Sequence, residues 1–277
     1  MKIRAVLIDM DGTTLAGSQV AISRENMAAI QKAISLGIQV IPCTGRVFDM
    51  LPPQLLTQEG MRYFISCHGA RAYDRLENKS LYEDLIPAEH AAELFKIVEE
   101  KGLYNEIAAN TTIYFEKAVT EPFDISKVPE HHLWYVRDNC FSTIDEKPSE
   151  YVLKNNMSVE KMNIYGIPEE LQQEIYDKVT ATGYIVHTRE GAGPNLEFSR
   201  RGIDKMKAVD AVLGALGISY EETMAIGDSP SDLCVIKACG VGVAMENAPD
   251  HVKAAADYVT CLNTDNGLAK AFEKFLF

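Results

Sequence analysis

Two carboxylates one residue apart follow the first apolar run of the chain. Residues 2–8 are long enough for a buried strand, and Asp9 and Asp11 follow them. In open parallel sheets, ligands bind outside the carboxyl ends of the strands, so a ligand is expected at this pair. Neighbouring carboxylates repel each other, and a divalent cation that prefers oxygen ligands, most simply Mg2+, relieves that repulsion. A solvated loop that carries two acids explains the pair equally well.

A hydroxyl and a lysine elsewhere could hold a phosphate group. Thr44 and Gly45 follow the apolar run 38–41, and a hydroxyl beside a glycine amide suits a phosphate oxygen, although such a threonine is more often a helix cap. Lys205 lies in the first turn of a predicted amphipathic helix, where its charge opposes the helix dipole. A bound anion would explain that position, and a surface lysine is the ordinary alternative.

Residues 225–232 show the same arrangement of an apolar run followed by acids. A buried strand is predicted at 223–226, and Asp228 follows it after Gly227 as a candidate third carboxylate of a Mg2+ site. Asp232 lies in the first turn of a helix predicted to start near Pro230, from where it can hydrogen-bond back to the loop. Carboxylates, a hydroxyl and a lysine at strand ends and a helix start of one core are the groups that phosphoryl transfer needs.

Alternating strand and helix patterns at both ends of the chain predict a parallel sheet with helices on its faces. The strands predicted in these two parts of the chain include 2–8, 38–41, 63–66 and 223–226. Between 87 and 194 the pattern changes to short strand-like pieces and two helices, which indicates an inserted α+β domain. The predicted fold class is therefore α/β, with a Rossmann-like parallel-sheet core of residues 1–86 plus 195–277 and an inserted α+β domain of residues 87–194.

The composition argues against several kinds of partner. The 277 residues carry a formal net charge of −13, which disfavours general binding of nucleic acid or of an anionic membrane. The first apolar run is interrupted at Asp9, so no secretion signal is expected, and no apolar stretch reaches transmembrane length. The six cysteines are scattered without a CxxC pair, which predicts reduced thiols and a cytoplasmic location.

Taken in order, these motifs resemble those of the haloacid dehalogenase (HAD) superfamily of phosphohydrolases. Residues 9–14 (DMDGTT) are similar to its first motif, 43–46 (CTGR) to the second, Lys205 to the third and 227–232 (GDSPSD) to the fourth. The insert falls between the second and third motifs, where it resembles a type IIB cap. The segment VGVAMENA at 241–248 looks like the Cof-like subfamily. The resemblance implies hydrolysis of a small phosphorylated metabolite, such as a sugar phosphate or a phosphorylated cofactor.

The resemblance also implies a role for each motif residue. Asp9 would be the nucleophile that forms an aspartyl phosphate, and Asp11 would protonate the leaving oxygen and then activate water. Mg2+ would be held by Asp9, the backbone carbonyl of Asp11, and Asp228. Asp232 and Ser231 would support the loop. Four residues would bind the phosphoryl group or lie beside it: Thr44, Gly45, Lys205 and Asn247.

Three positions depart from the pattern of the superfamily. Ser231 stands where relatives usually have asparagine, and Met206 stands where they usually have glycine. Ser231 lacks an amide and is shorter, so the loop geometry is expected to be looser. His68 stands in place of an asparagine and could touch the leaving group, although a simple loop position is the more ordinary interpretation.

Other interpretations stay open at this point. A phosphomutase shares the aspartyl phosphate, and a weakly active relative that binds phosphorylated ligands is favoured only by Ser231. The interpretation as a glycosyltransferase with a DxD motif leaves Lys205 and residues 227–232 unexplained. The aromatic segment 131–135 could be a binding patch, although core packing is more usual. Four residues of the insert could contact a leaving group but are more simply explained as surface residues: Glu106, Asn110, His187 and Arg189.

Overall fold

The computed structural model describes residues 2–16, 21–117, 142–187 and 195–277. By contact, the chain divides into a core unit (Met1–Arg46, Leu51–Glu83 and Asp204–Phe277) and an inserted unit (Val47–Met50 and Asp84–Ile203). The domain boundaries expected from the sequence stay a prediction. Several sequence-based expectations lie outside the described residues: the strand at 133–136, the aromatic segment 131–135, the linker 189–194 and Arg189.

The core unit is built on a parallel five-stranded sheet. Its strands are β1 (Ala5–Ile8), β2 (Gln39–Pro42), β12 (Thr223–Gly227), β13 (Val241–Ala244) and β14 (Tyr258–Val259), in the order β14-β13-β12-β1-β2. Every residue of β1 and β12 is buried, as expected for parallel strands covered on both faces. Because these strands run in one direction, the polar residues that follow β1, β2 and β12 meet at one edge of the sheet.

The helices of the core unit begin and end at the capping residues that the sequence indicated. Ser23 accepts the Asn26 N–H at the start of α1 (Arg24–Ser35), and a left-handed Gly217 ends α6 (Lys205–Leu216). The buried face of α6 packs in one apolar cluster with residues of β1, β2 and β12. The remaining helices of this unit are α2 (Pro53–Leu56), α7 (Leu233–Ala238), α8 (Asp250–Lys253) and α9 (Gly267–Phe275).

The segment β3 (Tyr63–Ser66) is a buried strand, as predicted, but it is not part of the parallel sheet. It forms an antiparallel three-stranded sheet with β4 (Arg71–Asp74) and β5 (Lys79–Glu83). The link between β3 and β4 is too short for the helical crossover that a parallel pair requires. One isolated parallel bridge, Cys43 to Ile65, connects β3 to the residues after β2.

The inserted unit contains a six-stranded sheet and three helices in its described residues. The strands are β6 (Asn105–Ala109), β7 (Thr112–Glu116), β8 (Ser142–Ile144), β9 (Lys161–Ile164), β10 (Ile185–His187) and β11 (Leu196–Ser199), in the order β10-β11-β9-β6-β7-β8. Neighbouring strands are antiparallel except β7 and β8. The helices are α3 (Ala88–Glu99), α4 (Pro148–Lys154) and α5 (Glu169–Ala181). Pro148 begins α4, since proline is well tolerated at the first position of a helix.

Phe95, Ile107 and Phe198 belong to a buried cluster between these helices and one face of the sheet. Within the described residues, no helix is long and apolar enough to cross a membrane.

Candidate active site

A tight turn after β1 presents the first pair of carboxylates. The N–H of Asp9 donates to the carbonyl of Ile226 in β12 (3.1 Å), and the Thr14 hydroxyl donates to the carbonyl of Asp9 (2.5 Å). Gly12 has φ +83°, and a Cβ at this position would lie 2.3 Å from Oδ2 of Asp228. The turn therefore requires glycine twice, for its left-handed backbone and for the close approach of Asp228.

Asp228 follows β12 and faces this turn. Thr13 donates its hydroxyl hydrogen bond to Oδ1 of Asp228 (2.8 Å). Asn247 donates from Nδ2 to the carbonyl of Gly12 (2.8 Å) and to Oδ2 of Asp228 (3.4 Å). Asn247 thus connects the segment after β13 to the turn after β1 and to Asp228.

Three carboxylates form the acidic centre of the site. Asp9, Asp228 and Asp232 each offer an oxygen within 4.8 Å of the others. Burial, and then the charges of Asp232, Asp228 and Asp11, raise the pKa of Asp9 well above its usual value, against the opposing effect of Lys205. Burial is also the main cause that raises the pKa of Asp228 to about 6. The site thus disfavours its own ionised carboxylates, and an oxygen-preferring divalent cation fits this donor set because it would favour them.

Lys205 is buried and paired, so its interpretation as a surface lysine is wrong. Its Nζ donates to Oδ1 of Asp232 at 2.9 Å, and the side chains are 5% and 2% exposed. Asp232 accepts the Ser229 N–H (3.1 Å) and hydroxyl (2.9 Å) on Oδ2, and its loop-supporting role stays a prediction. Burial opposes the charge of Lys205, but Asp232, Cys43 and Asp9 outweigh burial and raise the pKa of Lys205. The site therefore keeps a fixed positive charge beside its carboxylates.

Arg46, the last residue of CTGR, lies in the site although its sequence pattern predicted no role for it. Its Nε donates to Oδ2 of Asp11 (2.8 Å) and its Nη2 to Oδ1 (2.7 Å), a bidentate pair. Arg46 is 5% exposed. In the sequence, the signal for such a role was a single arginine beside the predicted phosphate-binding loop. Only the fold shows that the side chain of this arginine reaches Asp11.

Thr44 and Gly45 lie on the loop after β2, next to His68. The buried hydroxyl oxygen of Thr44 accepts the N–H of Arg46 (3.2 Å), and the N–H of His68 donates to the carbonyl of Thr44 (3.0 Å). A Cβ on Gly45 would lie 2.4 Å from Cε1 of His68, so the imidazole packs directly on this glycine. His68 therefore contacts the loop that is predicted to bind phosphate.

The backbone that carries His68 has an unusual conformation. Cys67 and His68 have φ of +50° and +57°, and left-handed backbone is uncommon for residues other than glycine. Gly69 follows with φ +97°, and a Cβ there would lie 2.6 Å from Cα of Lys205. This strained segment lies between the Thr44 loop and the start of α6. Strained backbone of this kind is often found at functional sites.

The remaining predicted residues lie in different places. Ser231 is exposed, and its hydroxyl lies 2.7 Å from that of Ser229, which holds Asp232. In the inserted unit, Glu106 is fully buried, contrary to its interpretation as a surface residue. Asn110 is exposed at the turn between β6 and β7, and His187 ends β10.

The chain is similar to known proteins over nearly its whole length. A model of the haloacid dehalogenase-like hydrolases matches residues 6–272. Phosphatase YwpJ of Bacillus subtilis is 28% identical over 296 residues, which cover 99% of this chain and 100% of that protein. The 5-amino-6-(5-phospho-D-ribitylamino)uracil phosphatase YcsE of the same organism is 28% identical over 278 residues, covering 99% and 96%.

Solved structures show the same likeness. The sugar phosphatase BT4131, of HAD subclass IIB, matches with a TM-score of 0.75 at 25% identity, and the match covers 98% of each chain. The family predicted from four ordered motifs is thereby confirmed over nearly the whole length. The chain belongs to the haloacid dehalogenase-like hydrolases.

Proposed function

We propose that the protein is a Mg2+-dependent phosphohydrolase that removes phosphate from a small phosphorylated metabolite through an aspartyl-phosphate intermediate. The observation that carries this proposal is the grouping of the Asp9, Asp228 and Asp232 oxygens within 4.8 Å, with Lys205 bonded to Asp232. The substrate classes in the names of relatives, a sugar phosphate and a phosphoribityl compound, support a small metabolite.

The residues that would hold Mg2+ are Asp9, the backbone carbonyl of Asp11, and Asp228. Asp232 is the less suitable ligand of the acidic centre, because Lys205 and Ser229 already engage both of its oxygens. When bound, the cation would neutralise charge on the phosphoryl oxygens and on the carboxylates around them.

Asp9 is the proposed nucleophile. Its carboxylate oxygen forms a bond to phosphorus while the bond from phosphorus to the leaving oxygen breaks, and Asp11 gives that oxygen a proton. Water then attacks the aspartyl phosphate, Asp11 takes a proton from the water, and phosphate leaves with Asp9 restored.

Arg46 positions Asp11 for this double role. A guanidinium that donates to both carboxylate oxygens matches the ionised form of Asp11, which is the form that accepts a proton from water. Proton donation to the leaving oxygen requires this pair to open or rearrange. Arg46 is therefore a positioning residue rather than a catalytic one.

Thr44, Gly45 and Lys205 are the proposed phosphate ligands. The Thr44 oxygen accepts a hydrogen bond from Arg46, so its own proton can be donated to a phosphate oxygen. Gly45 offers a backbone N–H on the same loop, and Lys205 supplies the positive charge. This arrangement supports local attraction of phosphate in a chain whose net charge is −13.

The hydroxyl contact between Ser231 and Ser229 supports catalysis over the alternative of a weakly active binding protein. That alternative rests on Ser231 alone, and the loop around it still holds Asp232 against Lys205. No described contact favours a phosphomutase over a hydrolase.

The decisive experiment is hydrolysis of p-nitrophenyl phosphate by the full chain with Mg2+, with a chelator, and with Asp9→Asn. We expect turnover with Mg2+, loss with the chelator, and a fall to background in the variant, because Asp9 forms the covalent bond. Asp250→Asn is the matched control, since Asp250 is fully exposed on α8, and it should retain activity. Full activity of Asp9→Asn would overturn the proposed mechanism.

A further inference from the structure

The turn that follows β1 is held by side chains from distant parts of the chain. We call residues 9–15, which include the proposed nucleophile and the proposed acid, the nucleophile turn. Asn26 of α1 donates from Nδ2 to the carbonyl of Thr14 (3.3 Å). Asn263, shortly before α9, donates from Nδ2 to the carbonyl of Leu15 (2.9 Å). Two side-chain amides thus bind neighbouring carbonyls at the end of this turn.

The same amides are joined to one further segment of the chain. Oδ1 of Asn26 accepts the N–H of Ala269 in α9 (3.0 Å). Asn247, which also donates to the nucleophile turn, accepts the N–H of Asn263 on its Oδ1 (3.1 Å). We call residues 263–269 the anchoring segment. The hydrogen bonds of these asparagines therefore connect the nucleophile turn to the anchoring segment.

Asn26 occupies a position where an apolar residue would suit its helix better. The buried residues of α1 are Asn26, Ala29, Ile30 and Ala33. The side chain of Asn26 is 1% exposed. Asparagine is a poor helix former, and burial of its amide opposes folding unless its polar atoms are hydrogen-bonded. The bonds that Asn26 makes outside α1 therefore explain this position better than the stability of α1 does.

An amide is suited to link these two parts of the chain. The nucleophile turn offers carbonyl oxygens, which need a donor. The anchoring segment offers N–H groups, including that of Thr264, which donates to Oδ1 of Asn263 (3.1 Å). A carboxylate of the same shape accepts hydrogen bonds but cannot donate them. Exchange of asparagine for aspartate therefore removes the bond to the turn and places an oxygen against a carbonyl.

The position of Thr14 is coupled directly to the proposed nucleophile. The hydroxyl of Thr14 donates to the carbonyl of Asp9 (2.5 Å), so the residue that Asn26 binds is itself bonded to Asp9. Asp9 must meet phosphorus in line with the leaving oxygen, and Asp11 must reach that oxygen. A misplacement of reacting groups by about 1 Å can lower a rate about 100-fold. A shift of the nucleophile turn is therefore expected to slow the chemical step.

The proposed phosphate ligands are carried by other elements. Thr44 lies on the loop after β2, and Lys205 begins α6. The hydrogen bonds of Asn26 and Asn263 described above lead to the nucleophile turn and to the anchoring segment. Loss of these bonds should therefore change kcat much more than it changes phosphate binding.

We propose that Asn26 and Asn263 are positioning residues, which fix the nucleophile turn against the anchoring segment so that Asp9 and Asp11 meet the phosphate ester. Both asparagines lie outside the four motifs of the superfamily. They act through the backbone of the turn rather than on the reacting atoms. The catalytic consequence rests on the proposed function, whereas the effect on the turn is independent of it.

Asn263→Asp is the most direct test, since Asn263 is only partly buried and its exchange leaves the core intact. We expect kcat with p-nitrophenyl phosphate to fall about 10-fold or more, because one hydrogen bond is lost and a repulsion is added, and KM to change less than about 3-fold. Asn263→Ala removes the same donor without adding a charge and should lower kcat about 3- to 10-fold. An unchanged kcat in both variants, or an effect on KM alone, overturns the proposal.

Asn266→Asp is the matched control. It adds the same charge within the anchoring segment, at a position with left-handed backbone that aspartate also tolerates. Asn266 makes no side-chain hydrogen bond as the N-cap of α9, so this variant should keep the kcat and KM of the wild-type protein. An equal loss of kcat in Asn266→Asp would assign the effect to charge and overturn the role of the bond to Leu15.

Hydrogen exchange measured by mass spectrometry makes the test independent of catalysis. Asn26→Ala and Asn263→Asp should each speed exchange about 5- to 10-fold in peptides that cover the nucleophile turn, and leave peptides from β4 and β5 unchanged. Faster exchange in all peptides, or in none, overturns the positioning role. Full phosphatase activity of Asp9→Asn would instead refute the proposed mechanism, and hydrogen exchange would still decide whether the asparagines hold the turn.

Discussion

At the scale of single residues, the candidate active site buries carboxyl groups whose ionised form disfavours folding. Asp9, Asp228 and Asp232 lie within 4.8 Å, and the pKa values of Asp9 and Asp228 are raised. A carboxyl group whose pKa is higher in the folded than in the unfolded protein makes its full contribution to stability at pH values below its unfolded pKa of about 4. That contribution is lost as the pH rises through the folded value, about 6 for Asp228. The protein without metal should therefore become less stable between about pH 4 and pH 6.

We expect Asp228→Asn to stabilise the metal-free protein at neutral pH. A pKa difference of about two units corresponds to about 3 kcal/mol, and the neutral amide keeps an acceptor for Thr13. Urea unfolding with a chelator at pH 7.5 should give a free energy of unfolding about 2–3 kcal/mol higher than wild type, and at pH 4 the difference should largely vanish.

Addition of Mg2+ should reverse the order of stability of the wild-type protein and Asp228→Asn. The cation should raise the Tm of the wild-type protein by binding the folded state, and it should raise that of Asp228→Asn much less. Asp250→Asn controls for the change of net charge and should behave as wild type. A variant less stable than wild type under chelator at pH 7.5 would show that Asp228 is compensated by the protein itself.

At the scale of elements, the hairpin of β4 and β5 depends on one buried carboxylate. Arg62 donates to Asp74 from Nε (2.9 Å) and Nη2 (2.7 Å), and the N–H groups of Leu76 and Glu77 donate to its Oδ1. Asp74 is 2% exposed, and the hydrogen bond from Arg62 is the main cause that lowers its pKa. The carboxylate therefore joins β4, the turn after it and the residue before β3.

Asp74→Asn should lower the free energy of unfolding by about 1–3 kcal/mol at pH 7, because a charge-assisted bidentate pair is lost. The lowered pKa means that the stabilisation is present above the unfolded pKa near 4 and is lost as the pH falls through the lower folded value. The difference between variant and wild type, measured by urea unfolding, should therefore shrink below about pH 4. Glu77→Gln is the control, since Glu77 is exposed and lies 3.8 Å from the same arginine; an equal loss there would refute the assignment.

At the scale of the whole molecule, the inserted unit has a hydrophobic core of its own. Its buried cluster draws on three helices, α3, α4 and α5, and on four of the described strands, β6, β8, β9 and β11. The strand β11 lies inside the sheet between β10 and β9. A unit with its own core is expected to fold alone. The strand β11 falls beyond residue 194, where the sequence analysis placed the end of the inserted domain.

We expect a fragment of residues 84–203 to fold cooperatively and a fragment of residues 87–194 to fail, because the second lacks β11 from the interior of its sheet. Circular dichroism and thermal unfolding should show one transition for the longer fragment. It should be less stable than in the full chain, since Asp49 of the segment Val47–Met50 donates its N–H to the carbonyl of Thr111. Equal behaviour of the two fragments would contradict the boundary at Ile203.

Much of the fold and of the site was determined by local sequence. The apolar runs before Asp9, Thr44 and Asp228 form β1, β2 and β12, and parallel pairing alone brings the residues after them to one edge. Capping residues such as Ser23 and Gly217 end or begin helices through backbone hydrogen bonds to near neighbours. The order of four short motifs was sufficient to predict the family, which the comparisons confirm.

The tertiary structure decided which side chains meet. Arg46 holds Asp11, and Lys205 pairs with Asp232. In each pair the two residues are too far apart in the sequence for the repeat of one helix or strand to bring them together. The burial of Glu106 likewise depends on the pairing of β6 with β9, a strand that is distant in the chain. Local sequence determines backbone conformation through short-range sterics and hydrogen bonds. Burial and pairing of charges depend instead on surfaces that exist only after the strands have assembled.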